Sequence, residues 1–364
     1  MQKRIIVFGL IFILIIINLS GCIDFFAGDG STTYEAHPTK LSYKISYGYK
    51  INCTGAGGLN SYNLKYDLDL PEVLEGQIIE TEIHNADYED KILATFNSVK
   101  SWDIDNNVDM EYNLGLTSTI QSESFIVSDL NGANALSIEE ISSQCLIIII
   151  QYCQEQYNET TRLVDPENPY ISDKASEILH NSGTNNSFLV AKELFIWLKQ
   201  NIRYQIHLGE NNAQPAETTF QIKTGDCDDL SFLYISLCRS VGIPSRFIRG
   251  FLIEEETAVP HEWVEVFVGG GLGNDGWIPV ECAGVSDDIE AEVHQNFGLE
   301  SAAHLRLFTD DGSNESLCFS QSSLTYVLYG STIVEYTNDA DVNDYNILES
   351  KELFVDKNGI RSYK

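Results

Sequence analysis

Between Thr224 and Glu281 three short motifs follow one another, and their order restricts the fold more than any other stretch of the chain. They are Gly225-Asp226-Cys227-Asp228-Asp229, then Pro260-His261-Glu262-Trp263, then Gly276-Trp277-Ile278-Pro279-Val280-Glu281. Apolar residues at Leu230, Leu233, Tyr234, Leu237 and Cys238 predict a helix that opens at Cys227 and stops before Gly242-Ile243-Pro244. Arg246 to Ile253, Trp263 to Val268 and Trp277 to Val280 read as strands, the last two joined by the glycine-rich loop from Gly269 to Gly276. The thiol therefore stands at a helix start, the histidine at the start of a strand and the carboxylate at the end of the next. Folded together, these make a thiol nucleophile with its base and its orienter.

Each residue type has a physical reason. Free amides and the dipole at a helix N-terminus favour a thiolate at Cys227, although Asp228 and Asp229 oppose it. The imidazole of His261 can take the thiol proton and return it to a leaving amine, and Glu281 can orient the ring and stabilise the imidazolium. Trp263 and Trp277 read either as walls that exclude water from the cleft or as core aromatics. Upstream, helices are expected over 171–181 and 187–200, followed by a loop with Tyr204 and His207. His207 reads as a solvated loop histidine and His304 as structural.

The remainder divides by pattern. Leu41 to Asp129 alternates apolar and polar residues between turn-rich clusters, as a β-sandwich does. Ser137-Ile138-Glu139-Glu140 fits a capping box opening a helix to about residue 157, with Cys145 to Ile150 buried because the run is too short to span a bilayer. Asp165 to Pro169 breaks the chain. The expected domains are a signal segment 1–22, a tether 23–40, a sandwich 41–135, a helical connector 136–165, a catalytic core 166–290 and a C-terminal α/β extension 291–364. The overall class is α+β.

At the N-terminus, Met1-Gln2-Lys3-Arg4 precedes an apolar run from Ile5 to Leu19, which suits a signal segment. Leu19-Ser20-Gly21-Cys22 resembles the lipobox of prokaryotic lipoproteins, which implies cleavage before Cys22 and lipid on its thiol. The alternative is an uncleaved N-terminal anchor; either places the body outside the cytoplasm, in contact with the membrane only through that end. With Cys22 and Cys227 set aside, six cysteines remain, an even set that permits disulfides without choosing their pairing. The net charge of −32 argues against nucleic acid as a partner, because phosphate neutralisation needs Lys and Arg. No cofactor or metal is expected. The acidic runs Asp103 to Asn107 and Asp339 to Asn343 lack the glycine and glutamate of an EF-hand.

Thr224-Gly225-Asp226-Cys227-Asp228-Asp229 with Gly242-Ile243-Pro244-Ser245-Arg246 and Gly250, His261-Glu262-Trp263-Val264-Glu265-Val266, and Gly276 to Glu281 together resemble the transglutaminase-like superfamily of papain-related thiol enzymes. The resemblance covers about 170–285. It implies an α+β papain-like core with nucleophile Cys227, base His261 and Glu281 as the third member, where most relatives have Asp followed by Pro. It further implies Tyr204 and the Cys227 amide as oxyanion donors. The expected activity is attack on a protein or peptide amide at the cell surface, with hydrolysis preferred to amine transfer. The alternative is a catalytically silent binding module on the cell surface.

Overall fold

The computed structural model describes residues 30–364 except 73, 75, 76, 86, 93–96, 154–162, 207–212, 311 and 313–323. The signal segment, Cys22, His207 and Cys318 lie outside the described residues. The chain opens with strands β1 (Thr32–Thr54), β2 (Ser61–Asp69), β3 (Ile78–His84), β4 (Glu89–Ile92), β5 (Ser98–Asn106), β6 (Met110–Glu123) and β7 (Phe125–Ile126). Helices α1 (Ile138–Gln144), α2 (Leu146–Tyr152), α3 (Pro169–Ser182) and α4 (Ser187–Asn201) follow. Next come β8 (Arg203–Tyr204), α5 (Ala216–Ile222), β9 (Thr224–Gly225) and α6 (Cys227–Ser240). Strands β10 (Ser245–Ile253), β11 (Ala258–Phe267) and β12 (Trp277–Val280) lead to α7 (Ile289–Asn296), β13 (Leu299–Glu300) and β14 (His304–Thr309). The chain ends with β15 (Thr325–Tyr329), β16 (Ile333–Val355) and β17 (Arg361–Tyr363).

Alternation builds the sandwich. From Leu41 to Cys53, β1 buries every second residue: Leu41, Tyr43, Ile45, Tyr47, Tyr49, Ile51 and Cys53. They face Tyr62, Leu64, Tyr66 and Leu68 of β2 in one apolar cluster, and the Tyr49 and Tyr66 rings meet edge to face at 5.0 Å. One sheet has the order β17-β16-β1-β6-β3 and the other β15-β2-β5-β4. The C-terminal segment, expected as an extension, thus supplies strands to both sheets: β16 pairs along the whole of β1, and β15 pairs with β2. Buried Arg361 fastens that end by donating to the carbonyls of Val127, His294, Phe297 and Gly298.

The other half is built on a four-stranded antiparallel sheet, β12-β11-β10-β14, with α6 lying across β10 and β11. From Asp229 to Arg239 every residue of α6 is buried, since α3, α4 and α5 pack around it on the sides away from the sheet. Each such apolar side chain contributes about 1.5–3 kcal/mol, so α6 is firmly located. Ile253, Ala258 and Leu305 of this sheet join the sandwich cluster, which ties the two halves together. Among the described residues no helix is long and apolar enough to cross a membrane.

Three expectations are corrected. The helix from Ser137 has its capping box, with Ser137 N–H donating to Glu140 Oε2 at 2.8 Å and Glu140 N–H to Ser137 Oγ at 3.1 Å, but it breaks at Cys145 into two short helices. The apolar run is not buried: Leu146 is 56% and Ile147 80% exposed, with only one side of α2 packed beneath Trp277 and Phe267. Strand β11 begins at Ala258, so His261 lies within the strand rather than at its start. Pro260 is tolerated there because it lies beyond the residues of β11 that pair with β12, where its missing N–H breaks no ladder on that side.

Candidate active site

Cys227 is the first residue of α6, and the strand pair β8–β9 delivers the chain to it. Gly225 has no room for a side chain: a Cβ would stand 2.6 Å from that of Asp229 and 2.9 Å from Leu230 Cδ1. The carboxylate of Asp229 accepts from Asp226 N–H at 3.2 Å and from Gln214 N–H at 2.6 Å, which fixes the loop ahead of the thiol. On the facing strand, Glu262 Oε2 accepts a hydrogen bond from Cys227 Sγ at 2.8 Å.

Next to it on β11, His261 donates from Nε2 to Glu281 Oε2 at 2.6 Å. The register pairs Val264 with Val280, so Glu281 follows the last residue of β12 and reaches back along β11 to the histidine. Its other oxygen, Oε1, accepts from Ala283 N–H at 2.7 Å. Oε2 also accepts from Nε2 of His304, buried on β14, at 3.1 Å. Trp263 stacks on His261 with ring centroids 6.0 Å apart and meets the His304 ring edge-on at 4.8 Å. Trp263 Nε1 in turn donates to Glu300, which Arg306 binds, and Arg306 also pairs with Glu265. A buried ionic chain therefore backs the wall of the site.

The electrostatics follow from burial and neighbours. Burial raises the Cys227 thiol well above its usual range, and the carboxylates of Glu262, Asp228 and Asp226 raise it further. The helix N-terminus does not overcome them, so Cys227 rests as a thiol. Glu262 is itself raised, chiefly by burial. Burial works against a charged His261, but Glu281 and then Glu262 outweigh it and hold its pKa above the ordinary value. Glu281 is the reverse: burial raises it, while His261 and His304 hold it far below the usual carboxylate range.

The structure thus brings Cys227, His261, Glu281 and Trp263 into one neighbourhood. Tyr204 pairs with Gly225 across β8–β9, two residues before the thiol, and burial chiefly raises its hydroxyl. Trp277 is not part of this group. It pairs with Phe267, six residues along β11 from His261, which is roughly 20 Å at about 3.3 Å per residue. There Arg246 lies over its ring at 4.1 Å and Tyr152 meets it edge to face at 5.2 Å, as for a core aromatic. The six described cysteines, Cys53, Cys145, Cys153, Cys227, Cys238 and Cys282, are all free thiols.

Two residues escaped the sequence reading. Glu262 was visible only as the neighbour of His261 in its motif; His304 carried no signal of a place at the site. Ligand atoms of His261, Glu281 and His304 lie within 4.8 Å of one another, as do those of Asp226, Asp228 and Asp229. In the first group hydrogen bonds between the members already occupy those atoms; in the second, Asp229 is held by Gln214 and Asp226, and Asp228 accepts Asp229 N–H at 2.8 Å.

A family model of the transglutaminase-like superfamily matches residues 174–282. Among solved structures, a candidate cysteine protease from Cytophaga hutchinsonii is similar over 92% of this chain and 100% of its own, with 16% identity and a TM-score of 0.51, a likeness of fold. The periplasmic domain of TgpA from Pseudomonas aeruginosa also matches, at 11% identity over 68% of this chain and 92% of its own, with a TM-score of 0.34. No curated protein sequence matches significantly.

Proposed function

We propose, for a chain whose segment 174–282 belongs to the transglutaminase-like superfamily, a thiol enzyme that hydrolyses amide bonds of a protein or peptide outside the cytoplasm. The observation that carries this reading is the 2.6 Å bond between His261 Nε2 and Glu281 Oε2, set beside the first residue of a buried helix. With Nε2 held by the carboxylate, Nδ1 is the nitrogen left to receive the thiol proton. Sγ leaves Glu262, gives its proton to His261 and attacks the carbonyl carbon. The C–N bond breaks, the departing amine takes the proton, and water cleaves the thioester. The Cys227 amide and the Tyr204 hydroxyl are the oxyanion donors.

Hydrolysis is favoured over amine transfer on charge. An attacking amine must be neutral, whereas the acidic groups beside the thiol, Glu262 and Asp226, favour the ammonium. The N-terminal lipid at Cys22 would hold the enzyme on the membrane, facing outward. Iodoacetamide labelling of Cys227, slowed about a hundredfold by His261→Ala, tests the thiol reading; labelling at the same rate in the two proteins sinks it. A glutamine peptide offered with a fluorescent amine tests the second half: ammonia release without incorporation is expected, and incorporation overturns it. An intact mass of the mature protein checks the lipid.

A further inference from the structure

A cavity of about 380 Å³ opens between the sandwich and the β10–β11 hairpin, and Glu262 lines it. The same carboxylate holds Cys227 Sγ at 2.8 Å, so the cavity ends one residue from the thiol. Strand β16 closes it from the other side, where Val342 N–H donates to Glu256 and Asp341 bridges to Thr257. Aromatic walls come from Tyr66 and Phe251. The polar lining is one-sided: Asp69 is buried within it, and Asp339 and Asp341 stand exposed at its rim. The single guanidinium, Arg249, lies 3.6 Å from Asp69 and over the Phe308 ring at 4.6 Å. Lys50 approaches Asp339 only at 3.8 Å, with both side chains half exposed or more, a contact of little strength. Four carboxylates face one cation.

We propose that this cavity is the subsite for a basic side chain, lysine or arginine, of the peptide or protein substrate. The aromatic walls fit an aliphatic stem and the acidic lining fits its charged end. The proposal rests on Cys227 being the nucleophile and names the substrate class of that site. It also gives Glu262 a second use. A cation paired with Glu262 draws the carboxylate away from Sγ and removes the nearest negative charge from the developing thiolate, so recognition and activation are coupled. The bound ammonium or guanidinium remains protonated and is recognised, not acylated.

The test uses the full chain with Cys227→Ser, to prevent turnover, and two acetylated peptide amides, Ala-Lys-Ala and Ala-norleucine-Ala, titrated by calorimetry in about 0.15 M salt, where screening sets in beyond roughly 8 Å. The lysine peptide should bind about tenfold tighter or better, as one buried charge-assisted contact provides. Asp339→Asn with Asp341→Asn, both on exposed positions, should reduce that preference to below about threefold. Glu80→Gln with Glu82→Gln, on β3 away from the cavity, should leave it unchanged. Equal binding of the two peptides, no binding of either, or an equal loss in the β3 control overturns the proposal. Iodoacetamide labelling of the unsubstituted protein separates the two claims. Lysine preference with an unreactive Cys227 supports the subsite and defeats the thiol-enzyme reading, and a reactive Cys227 without preference does the reverse.

Discussion

His304 donates to Oε2 of Glu281 at 3.1 Å, the same oxygen that accepts from His261 at 2.6 Å. One carboxylate oxygen thereby orients two imidazoles from two strands, β11 and β14. Glu281 meets both rings from its place just past the end of β12.

Shortening or neutralising Glu281 separates these roles. Glu281→Asp withdraws the carboxylate by about 1.5 Å, and we expect kcat/KM to fall about tenfold to a hundredfold, as loss of an orienting partner does. Glu281→Gln should cost more, up to about 10⁴-fold, because the imidazolium loses its counter-charge. His304→Phe keeps the ring packing on Trp263 and removes the donor. It should lower kcat/KM about tenfold, moving the acid limb of the pH profile. Steady-state kinetics from pH 5 to 9 on all three variants decide this; an unchanged profile in His304→Phe would assign that residue to packing alone.

Glu262 opposes ionisation of the Cys227 thiol, and Glu262→Gln should reveal it. With the charge gone, burial still raises the thiol but the largest electrostatic opponent is removed. Iodoacetamide alkylation of Cys227 near neutral pH should accelerate about tenfold, one pH unit of thiol titration being a factor of ten in thiolate. A slower reaction would mean that Glu262 acts as a base for the thiol.

Most of the catalytic half could be read from local pattern. The helix from Cys227 to Ser240 shows its apolar face and its Gly-Pro stop, and β12 matches its expected bounds. Local signals failed where the determining contact lies far along the chain. The pairing of β16 with β1 joins residues some 300 positions apart, and nothing in either strand names its partner. The run Leu146 to Ile150 has no polar face from which to judge its orientation, so its exposure was invisible. Glu262 sits next to His261 on a strand, where alternation directs adjacent side chains to opposite faces; that both come near the thiol depends on where the first residue of α6 is placed, which is a tertiary fact.

Stability should respond to pH through Asp69 and His261 in the same direction. Burial pushes the Asp69 carboxyl from 3.8 up to about 7, so the folded state holds a proton that the unfolded chain releases. Stability from this source is present below about pH 4 and is lost as pH rises to about 7. Over that interval the loss is on the order of 4 kcal/mol at about 1.4 kcal/mol per pH unit. The raised His261 likewise contributes below its unfolded pKa and is lost as pH rises through its folded one. Glu281 runs the other way, but only in strong acid. Urea unfolding should therefore show greater stability near pH 5 than near pH 8, and Asp69→Asn should flatten the difference. A protein more stable at pH 8 than at pH 5 contradicts this.

Gly250 links the fold to the site. It pairs with His261 on one side and Arg306 on the other, and a Cβ there would stand 1.9 Å from the Leu305 carbonyl oxygen. Real Cβ atoms do not approach backbone so closely, so Gly250→Ala must push β14 away from β10. Strand β14 carries both His304 and Arg306, and the displacement would pull one donor from Glu281 and strain the buried pair of Arg306 with Glu265 and Glu300. Breaking such a pair costs about 3–5 kcal/mol, so a Tm lower by roughly 5 °C or more is expected, together with slower Cys227 alkylation. Gly183→Ala is the contrasting control: its φ of 65° is left-handed, which that of Gly250 is not, and nothing lies within 4 Å of the added carbon. Its cost is the backbone strain alone, about 1 kcal/mol, with alkylation unchanged. Equal losses of Tm in the two variants would show that the approach of β14 adds nothing to the requirement for glycine at position 250.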